Sequence, residues 1–187
     1  PFLVNANFIT DAGRQQLHKD SEWNKLIFSK IPSEYLTWMK EISTAYKNYW
    51  EVLPEKTYGQ RNALEEIYAD EMEKAIHQIA FIPCMKEPSQ KVLAADAFMD
   101  RMGISDAISV EALVNHINRT YSRSFEDNNQ IANIWKGSRI LNDYGVFIFD
   151  KQKLKNLFDD KLAFEDISPE FNAKLIDFLF RYYVHNN

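Results

Sequence analysis

Apolar residues recur at spacings of three and four along most of this chain and alternate in a few short runs. At the start, Phe2, Val4, Ala6 and Phe8 alternate with Leu3, Asn5, Asn7 and Ile9, which predicts a strand over residues 2–9. Thr10 or Asp11 can cap a short helix carrying Arg14, Gln15, Leu17 and His18. Ser21, followed by Glu22, opens a second helix with Trp23, Leu26, Ile27 and Ile31 as its apolar stripe. Pro32 is expected to break or kink it, and Ser33 to start a third helix bearing Tyr35, Leu36, Met39, Ile42 and Tyr46. The run YWEVLP at 49–54 reads as a packed aromatic loop. The clearest amphipathic helix follows Gly59, with Leu64, Ile67, Tyr68, Met72, Ala75, Ile76 and Ile79 on one face.

The period then changes. AFIPCM (80–85) and KVLA (91–94) can pair as a small hairpin with Pro83 at an edge. Residues 96–102 read as a short helix stopped by Gly103, and Ser109 caps one with Val110, Leu113, Val114 and Ile117. Residues 119–129 are polar. Ile131, Ile134 and Trp135 give a helical stripe ended at Gly137. YGVFIFD (144–150) is the strongest strand signal, and Asp150 can cap a helix with Leu154, Leu157 and Phe158. Ser168-Pro169-Glu170 is a strong helix start, leading to Phe171, Leu175, Phe178, Leu179 and Tyr182 on one face. The fold class read from this pattern is mainly α with a few short β-strands (α+β), a helical domain with a small hairpin. Around a weak boundary at residues 122–129 it reads as 1–121, a helical module with an N-terminal strand and the small hairpin, and 130–187, a C-terminal helical part with one strand, either as a separate unit or as part of the same domain. Pro1 lies inside an apolar run and Asn187 follows another, so a piece of a longer protein is expected.

Composition narrows the function. With 187 residues, 45% apolar and 26% charged, the chain can bury a real core and is no low-complexity segment. A net charge of −5 argues against a nucleic-acid partner. A single cysteine, Cys84, excludes an internal disulfide and favours a reducing, cytoplasmic setting. No apolar run approaches 18 residues, so no membrane span is expected.

Motifs for chemistry are sparse. Five glycines leave no Walker loop and no GxGxxG, and no GxSxG is present. The histidines His18, His77, His116 and His185 fall in no zinc spacing. Glu73 and His77, one helical turn apart, could share a metal in a small hydrolase, or be a solvated pair; no third ligand is evident. Cys84 beside Pro83 reads as a buried inert thiol rather than a nucleophile. The aromatics sit on apolar stripes without interleaved basic residues, which favours core packing over base stacking. The chain by itself is expected to hold no catalytic centre, no metal and no cofactor.

One stretch is more specific. Residues 4–54 run VNANFITDAGRQQLHKDSEWNKLIFSKIPSEYLTWMKEISTAYKNYWEVLPE. A V-N-x-x-F strand, an Arg-bearing turn, a W-N helix and a Y-x-x-Y-W-x-x-L-P loop follow in that order. This resembles the segment after the ATP-binding domain in sacsin and related GHKL ATPases, kin to the large heat-shock chaperones. IAFIPCMKEPSQKVLAADAFMD resembles their next segment, a short hairpin leading into a helix. The resemblance covers about 80 residues and fades after residue 105. It implies a non-catalytic module that couples nucleotide state to a client or partner. ATP and Mg would be held by an upstream ATP-binding domain of the same chain. Arg14 matches the chaperone arginine that reaches the γ-phosphate of ATP, although Gly13-Arg14-Gln15 lacks the chaperones' Arg-Glu pair. The plainer reading makes Arg14 a surface residue near Asp11 or Asp20. Asn5 and Asn7 are read as satisfying backbone groups, and Trp23 and Asn24 as anchors of the helix, the indole filling the core and the amide capping a nearby turn. The alternative from another class is a free-standing helical adaptor for a protein partner.

Overall fold

The structure is a computed structural model that describes residues 3–56, 61–164 and 168–185. It is mainly helical with two small sheets, as the periodicity predicts. Helix α1 spans Glu22–Ala45 and packs along α2, Ala63–Gln78. Ser21 caps α1, its hydroxyl accepting the Asn24 N–H. A reciprocal capping box between Asn62 and Glu65 opens α2, which satisfies two otherwise unpaired N–H groups.

The break expected at Pro32 does not occur. Pro32 lies buried inside one continuous 24-residue helix. An interior proline costs about 3 kcal/mol. Fully burying Leu36 and Met39 just beyond it contributes about 1.5–3 kcal/mol each, so packing wins. The stripe expected at the start of α1 is also displaced. Trp23 and Leu26 are exposed, and the polar Asn24 is fully buried instead.

The aromatic loop is a single 3₁₀ turn, Tyr49–Val52. The Tyr35 hydroxyl donates to the Val52 carbonyl and that of Tyr144 to the Pro54 carbonyl, the latter at 2.9 Å. The turn packs so closely on Gly137 that a Cβ there would stand 2.5 Å from the Trp50 ring. Gly137 has an ordinary φ of −87°, so the obstacle is steric alone. Gly137→Ala should therefore cost about 1–3 kcal/mol. Urea unfolding checks this, and an unchanged midpoint would mean that Trp50 yields freely.

The predicted hairpin forms. β1 (Ile82–Pro83) pairs antiparallel with β2 (Lys91–Val92). The rest of the sheet structure departs from the sequence reading. Residues 96–102 are no helix: a 3₁₀ turn, Ala94–Asp96, leads into β3, Phe98–Asp100. After β3 come α3 (Ser105–Ile108) and α4 (Val110–Tyr121), the latter capped by Ser109 as expected. Ile131 belongs to β4, Gln130–Ile131, rather than to a helical stripe, and Gly137 precedes α5, Ser138–Asp143. β5 is Phe147–Phe149, within the strand predicted at 144–150. Helix α6, Lys151–Phe158, is capped by the Asp150 carboxylate, and α7 spans Pro169–His185.

These three short strands form one parallel sheet in the order β4-β3-β5, joining segments on both sides of residues 122–129. Helical crossovers make the parallel arrangement possible. Strand residues alternate between two cores. Met99, Ile131 and Ile148 pack with Leu36, Met39, Ile76 and Phe81. Phe98, Phe147 and Phe149 pack with Ile104, Leu113, Ile117 and Leu157. Burial on both faces explains why β5 reads as a continuous apolar run. The Asp100 carboxylate ends β3 and accepts the N–H groups of Met102, Gly103 and Ser105 at 2.7–3.0 Å. Gly103, at φ +71°, closes this turn and not a helix. No helix among the described residues is long and apolar enough to cross a membrane.

Candidate functional site

The segment before α1 neither pairs as a strand nor forms the short helix expected around Arg14. Residues 3–9 are irregular, and Thr10 bridges Leu17 across a tight loop. Asp11 organises that loop. Its N–H donates to the Gln16 carbonyl at 2.9 Å, and its carboxylate accepts the N–H groups of Gln15 and Gln16 at 3.0 and 3.4 Å.

Arg14 sits in the loop at φ +53°, a left-handed conformation that costs a non-glycine residue about 1–2 kcal/mol. Its N–H donates to the Asp11 carbonyl at 3.0 Å. The side chain is exposed and forms no ion pair with Asp11, Asp20 or any other described carboxylate. This position agrees with the plain reading of a surface arginine near Asp11.

Asn24 holds the loop. Its Oδ1 accepts the Ile9 N–H at 2.8 Å, and its Nδ2 donates to the carbonyls of Ile9 and His18 at 2.6 and 2.9 Å. The Trp23 indole donates to the Asn7 carbonyl at 2.7 Å. The anchoring role expected of Asn24 is thus realised, whereas Trp23 does not fill the core: its indole stands half exposed, turned to the Asn7 carbonyl. Asn5 and Asn7 point no side-chain hydrogen bond at the backbone, so the role expected of their amides is not found. Leu3, Val4 and Ile9 join Trp23 and Leu26 as large apolar residues exposed around this region.

The other sequence candidates behave as structure. Glu73 Oε1 lies 3.5 Å from His77 Nε2, while its Oε2 pairs with Lys56 at 3.0 Å. The Lys56 hydrogen bond holds the Glu73 carboxyl below its usual range. Among the described residues no three His, Cys, Asp or Glu side chains come together to hold a metal. Cys84 is buried and its backbone bridges Ile131; burial raises the thiol pKa, the opposite of an activated nucleophile.

Two features escaped sequence reasoning. The first is an internal polar cluster. The fully buried His116 shares a 2.7 Å hydrogen bond, through Nδ1, with Asp160 Oδ2, and Arg119 reaches the same oxygen. The Leu162 N–H donates to Asp160 Oδ1 at 3.2 Å. The His116 hydrogen bond, then Arg119, hold the Asp160 carboxyl below its usual range. His116 meets Tyr121 and Phe149 edge-on, and its Nε2 has no hydrogen-bond partner among the described residues. A general base needs a substrate proton in reach. This one is walled in by rings, and the cluster ties α4 to the chain after α6.

The second is a cleft of about 670 Å³ at the carboxyl ends of β3, β4 and β5. Arg101 follows β3, Trp135 follows β4, and Asp150, Lys151 and Lys155 follow β5. The Arg101 guanidinium lies 3.9 Å above the Trp135 ring. Arg101 and Trp135 each fell within a segment whose periodicity read as helical, and this hid their convergence.

Comparisons of the chain with protein-family models, curated proteins and solved structures find no match.

Proposed function

We propose that this chain is a non-catalytic module of a sacsin- and chaperone-like GHKL ATPase, coupling the nucleotide state of an upstream ATP-binding domain to the binding of a protein client. ATP and Mg would be held by that upstream domain, in a reducing, cytoplasmic setting that suits the free Cys84. The observation that carries the reading is Arg14: an exposed guanidinium, in no ion pair with a described carboxylate, at a left-handed position of a loop that Asn24 clamps to α1. Strain in a residue without a local partner points to a partner elsewhere. A guanidinium is always charged and its rigid fork matches phosphate oxygens, which suits it to charge developing on a γ-phosphate. The exposed apolar residues Leu3, Val4, Ile9, Trp23 and Leu26 support the reading a second way, as a surface that another domain covers. ATP state then biases which of two docked arrangements is populated.

Arg14→Ala in the intact protein should slow ATP turnover at least tenfold while leaving folding unchanged. Arg14→Lys should stay impaired, because it keeps the charge and loses the fork. An unchanged turnover rate in Arg14→Ala would overturn the coupling role. One observation favours the second reading, a helical adaptor. Ile176, Phe180 and Val184 of α7 form an exposed stripe at i, i+4 and i+8, the spacing of a helix face that docks on a partner.

A further inference from the structure

The cleft at the sheet edge is independent of the Arg14 loop. In a parallel sheet with helices on both faces, the loops leaving the carboxyl ends of the strands converge, and ligands settle in the crevice they form. Here three such loops meet. The Arg101 N–H donates to the Phe149 carbonyl at 3.0 Å, and the Asn133 amide donates to the Arg101 carbonyl at 3.4 Å. Both bonds fix the floor of the cleft to the sheet.

Its lining is two-sided in character. Arg101, Lys151 and Lys155 supply three cations, none in an ion pair with a described carboxylate. The Arg101 Nε is buried with no hydrogen-bond partner among the described residues. A buried N–H left unpaired costs about 1–3 kcal/mol, which a bound acceptor would relieve. Asp150 is the lining carboxylate, and it is engaged at the start of α6, accepting the Lys153 N–H at 3.2 Å and the Lys153 ammonium at 3.3 Å. Three cations without a described carboxylate partner stand out in a chain of net charge −5; Lys151 Nζ lies 5.7 Å from the centre of the Tyr182 ring. Trp135, Phe158 and Tyr182 give the remaining wall an aromatic surface. Trp135 is 64% exposed. The volume lies in the range of small-ligand sites, roughly 300–1,000 Å³.

We propose that this cleft binds a small organic phosphate. Arg101, Lys151 and Lys155 engage the phosphate group, and the Trp135–Tyr182 side takes an attached ring. Arg101 contributes most to orientation, since the Trp135 stack holds its guanidinium in place and leaves its in-plane N–H groups for oxygen acceptors. Lys151 and Lys155 act as point charges that select a dianion over a neutral analogue.

Phenyl phosphate, phenol and inorganic phosphate are the probes, titrated into the protein at low salt. Binding is followed by NMR at the Trp135 indole N–H, which a Trp135→Phe variant assigns. Phenyl phosphate should bind saturably, at least tenfold more tightly than either phenol or inorganic phosphate. Lys151→Gln with Lys155→Gln, two exposed changes that leave the core intact, should remove the advantage over phenol. Arg101→Gln should weaken phenyl phosphate at least tenfold, and Arg14→Ala should leave it unchanged. No saturable shift up to 10 mM probe, or equal binding by wild type and the double lysine variant, would overturn the site. Inorganic phosphate binding as tightly as phenyl phosphate would overturn the role given to the aromatic wall.

Discussion

Asn24→Ala should release residues 9–18 from α1. The side chain of the fully buried Asn24 makes three part-buried hydrogen bonds to backbone groups of Ile9 and His18. Each is worth about 1 kcal/mol net, and removing the amide leaves part-buried groups unpaired. The local cost is about 3 kcal/mol, or about a 100-fold loss of hydrogen-exchange protection. The His18 N–H, which donates to the Ile9 carbonyl at 3.0 Å, is the reporter. Exchange as slow as in the wild type would show that the loop is held by something else. Asn24→Asp separates the contributions: it keeps an acceptor for the Ile9 N–H but turns carboxylate oxygen toward two carbonyls. It should loosen the loop at least as much as alanine. If the module acts through Arg14, both Asn24 variants should also slow ATP turnover of the intact protein, because a guanidinium on a loose loop is no longer presented in one geometry.

Asp160→Ala should be the most destabilising single change outside the apolar core. It strips the buried His116 of its partner and frees Arg119. Breaking such a pair from one side typically costs about 3–5 kcal/mol. Arg119 is half exposed, so the lower end, about 3 kcal/mol, applies here. The urea midpoint at pH 7 reads it directly. The pH dependence is a second test with a fixed sign. The folded Asp160 carboxyl is held below its usual pKa. Its stabilisation is therefore complete above the unfolded value of about 3.9 and is lost as pH falls through the folded value. The gap between wild type and Asp160→Ala should shrink as pH falls from about 5 towards 3. A gap that stays constant to pH 3 would show that the carboxylate charge contributes nothing.

How far the fold can be read from the sequence depends on whether the signal is local. Helix starts are local. Ser21, Ser109 and Asp150 carry caps one turn from the N–H they serve, and Ser168 accepts the Phe171 N–H at 3.3 Å. The hairpin was legible too, because its two strands flank a short polar turn. β3 and β4 were not. Two or three residues are too few to display a period of two, and Ala97-Phe98-Met99 before Gly103 mimics the end of a helix. At residues 2–9 the opposite error arose. The alternation over the described residues 3–9 is real, but no neighbouring strand pairs with them, and the Asn24 amide takes the bonds a ladder would have made. Pro32 was misjudged because propensity was weighed without the tertiary burial that outweighs it.

The site divides along the same line. The W-N pair and Arg14 belong to one contiguous motif, and the structure sets the pair in the first turn of α1, from where it holds the segment that carries Arg14. The cleft needs Arg101, Trp135 and Lys151 from three separate loops, and nothing in any one segment announces it. The His116–Asp160 bond likewise spans two segments far apart in sequence.

The parallel sheet has a consequence for the order in which the chain folds. No strand of β4-β3-β5 can pair with its sequence neighbour through a tight turn, so each pairing waits on closure of a helical crossover. The α1–α2 pair faces no such delay, since its helices follow one another along the chain. The Arg14 loop requires only α1 beneath it, whereas the cleft comes into being when the last strand is in place. The arginine loop can therefore take shape while the cleft is still unformed, and a slow phase in refolding should be seen at Trp135 rather than at the His18 N–H.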